Sequence, residues 1–353
     1  MKGNFCMNNN PFTLTYGIAP NNSIVSRYES IEHIVDSFNN ESNMYSYIIT
    51  GIRGSGKTVL LKSIEKELSN SSNWIILDIN PQTRILHSLA NKLYNSLSAK
   101  KVLGKISFSI NLGIVTLTRE SGDSTNDPEI IIEYFISVLK NLDIKLLISI
   151  DEVNNTQDFK EFINFYQIML GKNLPMYLLM TGLQENINGL INDKAMTFLT
   201  RAPKIELEPL SLANIATNYA NIFDISYSDA AKLAKLTKGY AFAYQVLGYL
   251  LFENDKKEAD TEIIQKYENY LWNYGYNKFW QDLTHVEKQF LICLALSDGN
   301  KENIIKVGFP ETNYSQYRHR LLLKGLISMP SQGLLEFVLP RFKEYVLLMK
   351  EFE

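Results

Sequence analysis

The eight residues 51–58, with the sequence GIRGSGKT, constrain this chain more than any other segment. They follow an apolar run, YSYIIT at 45–50, and lead into VLLKSI at 59–64, where apolar residues recur at helical spacing. A strand, a glycine-rich turn and a helix in this order form a loop whose backbone N–H groups surround a phosphate. The helix adds its unpaired first-turn N–H groups and the positive end of its dipole. The segment therefore predicts binding of a nucleoside triphosphate, and we call residues 51–58 the phosphate loop.

The side chains of the phosphate loop have distinct expected tasks. Lys57 can reach the β- and γ-phosphates of ATP, and the hydroxyl of Thr58 can bind Mg²⁺. The other predicted nucleotide contacts are Gly51, Arg53, Gly54, Ser55, Gly56 and Val59.

Composition excludes several other classes of protein. With 353 residues the chain is long enough for two or three domains, and its formal net charge of −3 gives no general attraction to nucleic acid or to an anionic membrane. The two cysteines, Cys6 and Cys293, lack metal-ligand spacing and are expected to be reduced thiols of a cytoplasmic protein. The N-terminus lacks the apolar region of a signal peptide, and no apolar run reaches the roughly 18 residues of a membrane span.

A second motif follows the phosphate loop along the chain. The apolar run KLLISI at 145–150 is typical of a strand buried on both faces, and it ends in Asp151 and Glu152. We expect Asp151 to hold Mg²⁺ and Glu152 to orient or deprotonate the attacking water. A further buried strand, MYLLM at 176–180, ends in Thr181, which either contacts the γ-phosphate or is a plain strand end.

Other segments complete the expected core and lid. The alternation of apolar and polar residues at 105–118 predicts an inserted hairpin, and residues 209–256 have helical spacing throughout. Arg201 is either an arginine finger that faces the nucleotide of a neighbouring subunit or an ordinary arginine at a helix end.

The C-terminal segment has the order of a winged helix-turn-helix. A capping box opens a helix at Thr284, the residues 313–324 form another helix, a turn at 330–333 joins two strands, and Pro340 starts a last helix. Arg318, Arg320 and Lys324 could contact duplex DNA. Acidic and basic residues are balanced over 281–353, however, so protein contacts or self-association are a nearly equal alternative.

Together these motifs resemble the AAA+-type ATPases of the branch that contains the initiator-like ATPases and the STAND signalling NTPases. Residues 51–58 resemble Walker A, 148–152 resemble Walker B, Thr181 falls at the sensor-1 position, and TKGYAF at 237–242 resembles a lid motif. In that family an N-terminal lead-in such as NPF at 10–12 packs near the adenine, so the resemblance implies base-side roles for Tyr16 and Arg27. Ser26 stands where the family usually has glycine, and Ala241 stands where it usually has proline.

The resemblance implies an α/β fold, with a P-loop NTPase core, a helical lid and an α+β winged helix-turn-helix domain. We predict an N-terminal lead-in at 1–25, a core at 26–208 with a hairpin insertion at about 105–119, a lid at 209–280 and a winged domain at 281–353. No sensor-2 arginine is evident in the lid motif, which favours a slow ATPase that switches between an ATP-bound and an ADP-bound state. Its expected cofactors are ATP or ADP and Mg²⁺. Its expected partners are a second copy of the chain or another protein.

Two alternatives stay open at this point. The chain could be a DNA-binding initiator or transposition-type loader, or a scaffold that holds nucleotide without hydrolysing it.

Overall fold

A computed structural model of the chain describes residues 10–15, 25, 27–40, 44–82, 84–99, 107–111, 114–118 and 124–352. The contacts between residues divide the chain into two compact units. We call residues 27–50 and 57–206 the sheet unit, and residues 1–26, 51–56 and 207–353 the helical unit. The first six residues of the phosphate loop thus belong to the helical unit, and its last two belong to the sheet unit. The four domain boundaries expected from the sequence remain predictions.

Strands and helices alternate along most of the sheet unit. Its strands are β1 (Ser46–Thr50), β2 (Trp74–Asp78), β3 (Ser107–Asn111), β4 (Ile114–Thr118), β5 (Ser124–Thr125), β6 (Lys145–Ile150), β7 (Met176–Gly182) and β8 (Lys204–Glu206). Its helices are α1 (Tyr28–Asn39), α2 (Lys57–Ser69), α3 (Ile85–Ala99), α4 (Pro128–Asn141), α5 (Gln157–Gly171) and α6 (Gln184–Ile191), and a 3₁₀ segment spans Lys194–Arg201.

Five parallel strands form the main sheet in the order β2-β6-β7-β1-β8. All residues of β7 and all but the first of β6 are buried, as expected for a sheet that is covered on both faces. Ile150 pairs with Met180, and Thr50 pairs with Gly182, so β1, β6 and β7 end at the same edge. The predicted α/β fold with a parallel sheet is therefore confirmed. The strand that carries Thr181 lies between the strand before the phosphate loop and the strand before Asp151.

The hairpin predicted at 105–118 is present as the antiparallel pair β3 and β4. The short strand β5, in a polar segment, adds a third antiparallel strand. Side-chain caps fix the starts of the two helices that follow. Asp127 accepts a hydrogen bond from the N–H of Glu129 at the start of α4, and Thr156 accepts one from the N–H of Phe159 at the start of α5.

The helical unit is mostly α-helix. Its helices are α7 (Leu212–Phe223), α8 (Tyr227–Thr237), α9 (Ala241–Glu253), α10 (Thr261–Leu271), α11 (Asn277–Gln281), α12 (His285–Ala295), α13 (Lys301–Lys306), α14 (Glu311–Leu323) and α15 (Phe342–Met349). A π-helical turn spans Trp272–Tyr276, and a 3₁₀ turn spans Lys350–Phe352. The antiparallel strands are β9 (Ile327–Ser331) and β10 (Leu334–Phe337).

Aromatic packing anchors the N-terminal lead-in within the helical unit. The ring of Phe12 lies 5.6 Å from the ring of Tyr244 and 5.7 Å from that of Phe223. The side-chain amide of Asn10 donates to the backbone carbonyl of Tyr249 in α9. The described part of the lead-in therefore packs on α7 and α9.

Two details of the C-terminal segment differ from the sequence prediction. The turn between the strands is shorter than residues 330–333, because β9 continues to Ser331. The last helix begins at Phe342 rather than at Pro340, because Arg341 has a left-handed backbone with φ +58° and interrupts the helical path. The predicted capping box is confirmed by the reciprocal hydrogen bonds of Thr284 and Glu287. The winged-helix interpretation of this segment remains a prediction.

Candidate functional site

The phosphate loop leaves β1 at Gly51 and enters α2 at Lys57. Gly54 and Gly56 have φ of +75° and +95°, which side-chain-bearing residues rarely adopt. The N–H of Ser55 donates to the carbonyl of Ile52 across a tight turn, with 3.2 Å between nitrogen and oxygen. The sequence therefore places glycine where the backbone of the loop requires it.

The last residues of the phosphate loop form the first turn of α2. The Lys57 side chain is 7% exposed, and the Thr58 hydroxyl donates to Oδ2 of Asp151 over 2.7 Å. Val59, the next predicted contact, is half-buried, and its carbonyl accepts a hydrogen bond from Ser63. Thr58 and Asp151 are 93 positions apart in sequence and meet in the sheet unit.

Thr181 forms hydrogen bonds with residues 151–153 after β6, which we call the acidic turn. The Thr181 side chain is fully buried; its hydroxyl donates to Oδ1 of Asp151 and accepts a hydrogen bond of 3.0 Å from the N–H of Glu152. The N–H of Val153 also donates to the carbonyl of Thr181. A hydroxyl has one hydrogen, so that of Thr181 is used on Asp151. Thr181 therefore organises the acidic turn, and its expected contact with a γ-phosphate remains a prediction.

Glu152 has a left-handed backbone, with φ of +57°. Such a conformation is costly for a residue with a side chain and is often found at functional sites. The side-chain amide of Asn154 donates to the carbonyl of Glu152 at 3.1 Å, and Asn186 donates to Asn154 at 2.9 Å. The sequence analysis missed these two asparagines. Asn154 lies in the mostly polar run VNNT at 153–156, and Asn186 lies in α6. Neither local sequence shows which amide bonds to which carbonyl.

Within the helical unit, two residues at the start of α9 form hydrogen bonds with the phosphate loop. The hydroxyl of Tyr240 donates to the carbonyl of Arg53 over 2.9 Å, and the N–H of Phe242 donates to the carbonyl of Gly54 over 3.1 Å. Tyr240 and Phe242 lie in the segment that resembles a lid motif, but that resemblance does not indicate a contact with the loop.

The remaining predicted site residues are Arg201, Arg27 and Tyr16. Arg201 is exposed at the end of the 3₁₀ segment of the sheet unit. Arg27 precedes α1, and its carbonyl accepts the N–H groups of Ser30 and Ile31. Tyr16 lies outside the described residues. Roles for these three residues remain predictions.

The residues predicted to contact DNA differ in their exposure and in their contacts within the fold. Arg320 is exposed and lies 5.2 Å from the centre of the Tyr317 ring, whereas Arg318 is half-buried against Tyr314. Lys324 forms an ion pair of 3.3 Å with Glu287, which is 2% exposed. The charge of Lys324 is therefore used inside the fold.

The oxygen atoms near α2 fit a magnesium nucleotide. Mg²⁺ prefers oxygen ligands and is usually held by one or two carboxylates together with the phosphates of its substrate. The Thr58 hydroxyl and the Asp151 carboxylate are such ligands, and they are already adjacent. Among the described residues, no group of three or more His, Cys, Asp or Glu side chains is suited to hold a metal ion.

Comparison with known proteins supports the same fold. The Walker-type ATPase of Pyrococcus abyssi matches with a TM-score of 0.63 and 15% identity, over 92% of this chain and 96% of its own. The ORC2 protein of Aeropyrum pernix in its ADP form matches with a TM-score of 0.52 and 13% identity, over 96% and 97%. This chain has the fold of a P-loop ATPase. The resemblance drawn from its motifs is thus confirmed at the level of the fold.

Two other comparisons complete this picture. A family model described as a domain of unknown function, DUF8462, matches residues 275–346, which lie in the helical unit. No curated protein matches the chain. In the parts of the chain that are described, no helix has both the length and the apolar character needed to cross a membrane.

Proposed function

We propose that this chain binds ATP with Mg²⁺ and hydrolyses it slowly, as a switch that controls self-association or binding to a partner. The observation that carries the proposal is the hydrogen bond of 2.7 Å between Thr58 and Asp151. It joins the phosphate-loop threonine to the acid of the second motif, which is the pair of oxygen ligands that Mg²⁺ requires in such sites. The names of the two matching structures attach ATPase activity and bound ADP to the same fold.

The residues divide the work of binding and hydrolysis. The N–H groups of the phosphate loop and the ammonium of Lys57 bind the phosphate oxygens. Glu152 orients the attacking water and accepts its proton, and Thr181 and Asn154 hold the backbone of Glu152 in place. Bound Mg²⁺ supplies a positive charge that neutralises the phosphate oxygens.

The switch acts through the part of the loop that packs with the helical unit. Residues 51–56 belong to that unit and continue directly into α2. A γ-phosphate held by the loop and Lys57 is lost on hydrolysis, so the ATP and ADP states differ in what the loop holds. We expect the lid at 209–280 and the domain at 281–353 to respond to this difference.

Nucleotide titration and turnover test the proposal. We expect Asp151→Ala to abolish Mg²⁺-dependent turnover and Glu152→Gln to keep ATP binding while trapping the bound state. Glu161→Gln, the same change at an exposed position of α5, is the control and should hydrolyse ATP at the wild-type rate. Wild-type turnover by Glu152→Gln would show that its assigned role is wrong. A wild-type chain that binds neither ATP nor ADP would contradict the whole proposal.

Two further measurements separate the switch from its alternatives. The protein should change its oligomeric size or its partner binding between ADP and a slowly hydrolysed ATP analogue. An unchanged size together with unchanged partner binding would argue against the switch. Tightly bound nucleotide with undetectable turnover would instead support a non-hydrolysing scaffold.

Duplex DNA binding by α14 is a second candidate function. Its exposed side includes Gln316, His319 and Arg320, which can contact base edges and phosphates. Binding should weaken as salt rises and should be lost in an Arg318/Arg320 double alanine variant, whereas Lys306→Ala on α13 serves as the control. Absence of binding at low salt would end this hypothesis.

A further inference from the structure

Two consecutive peptide groups of the phosphate loop are held by their carbonyl oxygens. The carbonyl of Arg53 accepts the hydroxyl hydrogen of Tyr240 at 2.9 Å. The carbonyl of Gly54 accepts the N–H of Phe242 at 3.1 Å. Both donors come from the start of α9, and all four residues belong to the helical unit.

Holding these carbonyls also orients the N–H groups of the loop. A trans peptide group is planar, and its C=O and N–H bonds point in opposite directions. The peptide bonds of the described residues are all trans. With the carbonyls of Arg53 and Gly54 directed at α9, the N–H groups of Gly54 and Ser55 point away from it. That of Ser55 donates to the carbonyl of Ile52 over 3.2 Å within the loop, and a bound phosphate would compete for it. Inward-pointing N–H groups on successive residues are what a phosphate-binding nest requires.

Tyr240 is itself firmly placed for this task. Its side chain is 6% exposed, its N–H donates to the carbonyl of Thr237, and its ring packs edge-on against Phe242 at 6.2 Å. A Cβ atom at Gly54 would collide with the Tyr240 hydroxyl. Tyr240 therefore fits a loop that has glycine at this position.

The contact also completes the start of α9. The first N–H groups of a helix have no partner within the helix, and Tyr240 provides no side-chain cap for them. The Gly54 carbonyl accepts one of these N–H groups, that of Phe242. The phosphate loop thus caps α9, and α9 in turn fixes the loop.

We propose that Tyr240 is a positioning residue for binding of nucleoside di- and triphosphates. This inference rests on the proposed nucleotide binding and adds a residue outside the motifs that contact phosphate. Tyr240 fixes the peptide group between Arg53 and Gly54, so the loop is ordered for phosphate before the nucleotide arrives. Loop N–H groups cradle the α- and β-phosphates, which ATP and ADP share, so Tyr240 affects the affinity for both nucleotides equally.

The variant Tyr240→Phe removes the hydroxyl and keeps the ring. Losing one hydrogen bond of this kind should raise the Kd for ATP and for ADP by about 3- to 10-fold, with the ratio of the two Kd values unchanged. Tyr219→Phe is the matched control, because its buried hydroxyl donates to the carbonyl of Tyr244, away from the loop. Isothermal titration with Mg²⁺ and each nucleotide measures the affinities, and melting temperatures without nucleotide measure folding.

The two variants distinguish positioning from a purely structural role. We expect both to lower the melting temperature to a similar extent and only Tyr240→Phe to weaken nucleotide binding. If Tyr240→Phe binds ATP and ADP as tightly as the wild-type chain does, this inference is wrong and the proposed function stands. If the wild-type chain binds neither nucleotide, the proposed function fails, and this inference fails with it.

Discussion

The hydroxyl of Thr181 donates to the carboxylate of Asp151 and accepts the N–H of Glu152, so one buried side chain connects both acids of the second motif. The other oxygen of Asp151 accepts the Thr58 hydroxyl. The order of the strands explains this arrangement. Because β7 lies between β1 and β6, Thr181 near its end lies beside the strands that precede the two motifs.

Replacing Thr181 tests whether this connection supports catalysis. Valine has the same shape but no hydroxyl, so Thr181→Val leaves the N–H of Glu152 without its acceptor and removes a donor to Asp151. We expect ATP turnover to fall by about 10- to 100-fold, which corresponds to roughly 1.4–3 kcal/mol in the barrier, with ATP affinity changed by less than about threefold. Steady-state turnover and titration measure the two effects.

Thr181→Ser is the control, because serine restores the hydroxyl. It should keep most of the turnover. Equal loss of turnover in the serine and valine variants would show that the methyl group of Thr181 matters rather than its hydrogen bonds.

The sequence predicts well whatever depends on neighbouring residues. The apolar runs at 45–50, 145–150 and 176–180 predict β1, β6 and β7, and the capping-box pattern at Thr284 predicts the start of α12. Local patterns also indicate the phosphate loop and the acidic pair Asp151 and Glu152. Their meeting followed from a general property of parallel sheets, in which the strand ends share one edge.

The sequence does not predict hydrogen bonds between distant positions. Tyr240 and Arg53 are 187 positions apart, and Asn186 and Asn154 are 32 apart. The lid-motif resemblance at 237–242 includes Tyr240 but does not indicate its hydrogen bond to Arg53. Lys324 shows the same limit, because its helical position suggested DNA binding whereas its partner, Glu287, lies on another helix.

A second prediction concerns the contact between the phosphate loop and the turn after α14. A Cβ atom at Gly325 would collide with the side chain of Ile52, whereas a Cβ at Gly333 would meet open space. Both glycines have positive φ, +67° and +82°. Alanine at either position should therefore cost about 1–2 kcal/mol in backbone strain, but only Gly325→Ala should displace Ile52.

We expect Gly325→Ala to weaken ATP binding by about 3-fold or more and Gly333→Ala to leave the Kd unchanged. Titration at a temperature where both variants are folded makes the comparison. Identical Kd values in the two variants would mean that the contact of Ile52 with Gly325 does not influence the loop.

A third prediction concerns the buried carboxylate of Glu287. It accepts hydrogen bonds from the N–H and the hydroxyl of Thr284 and pairs with Lys324. Glu287→Ala removes the side-chain half of the capping box and takes the buried carboxylate away from the ammonium of Lys324, so we expect a loss of about 2–4 kcal/mol in the free energy of unfolding. Glu311→Ala breaks the exposed pair with Lys301 and should cost less than about 1 kcal/mol. Urea unfolding of both variants measures the difference, and equal losses would contradict the assigned role of Glu287.

The last prediction concerns stability at alkaline pH. Burial raises the pKa of Tyr219, Tyr267 and Tyr276 in the helical unit, and it raises the pKa of Tyr345 to about 12. Unfolded tyrosine ionises near pH 10, whereas these side chains stay neutral in the folded chain. The unfolded state therefore releases protons first, so their contribution is fully present below about pH 10 and is lost as the pH rises towards 12 and beyond.

We expect the free energy of unfolding to fall steeply with pH in this range, and tyrosinate absorbance to appear together with the loss of helical circular dichroism. Tyr219→Phe should reduce the slope, because it removes one group that is protonated only in the folded state. Tyr28→Phe is the control, since that side chain is exposed and should leave the slope unchanged. Tyrosinate absorbance that rises fully while the chain is still folded would show that these phenols are open to solvent, because a buried phenol can ionise only after the packing around it has been released.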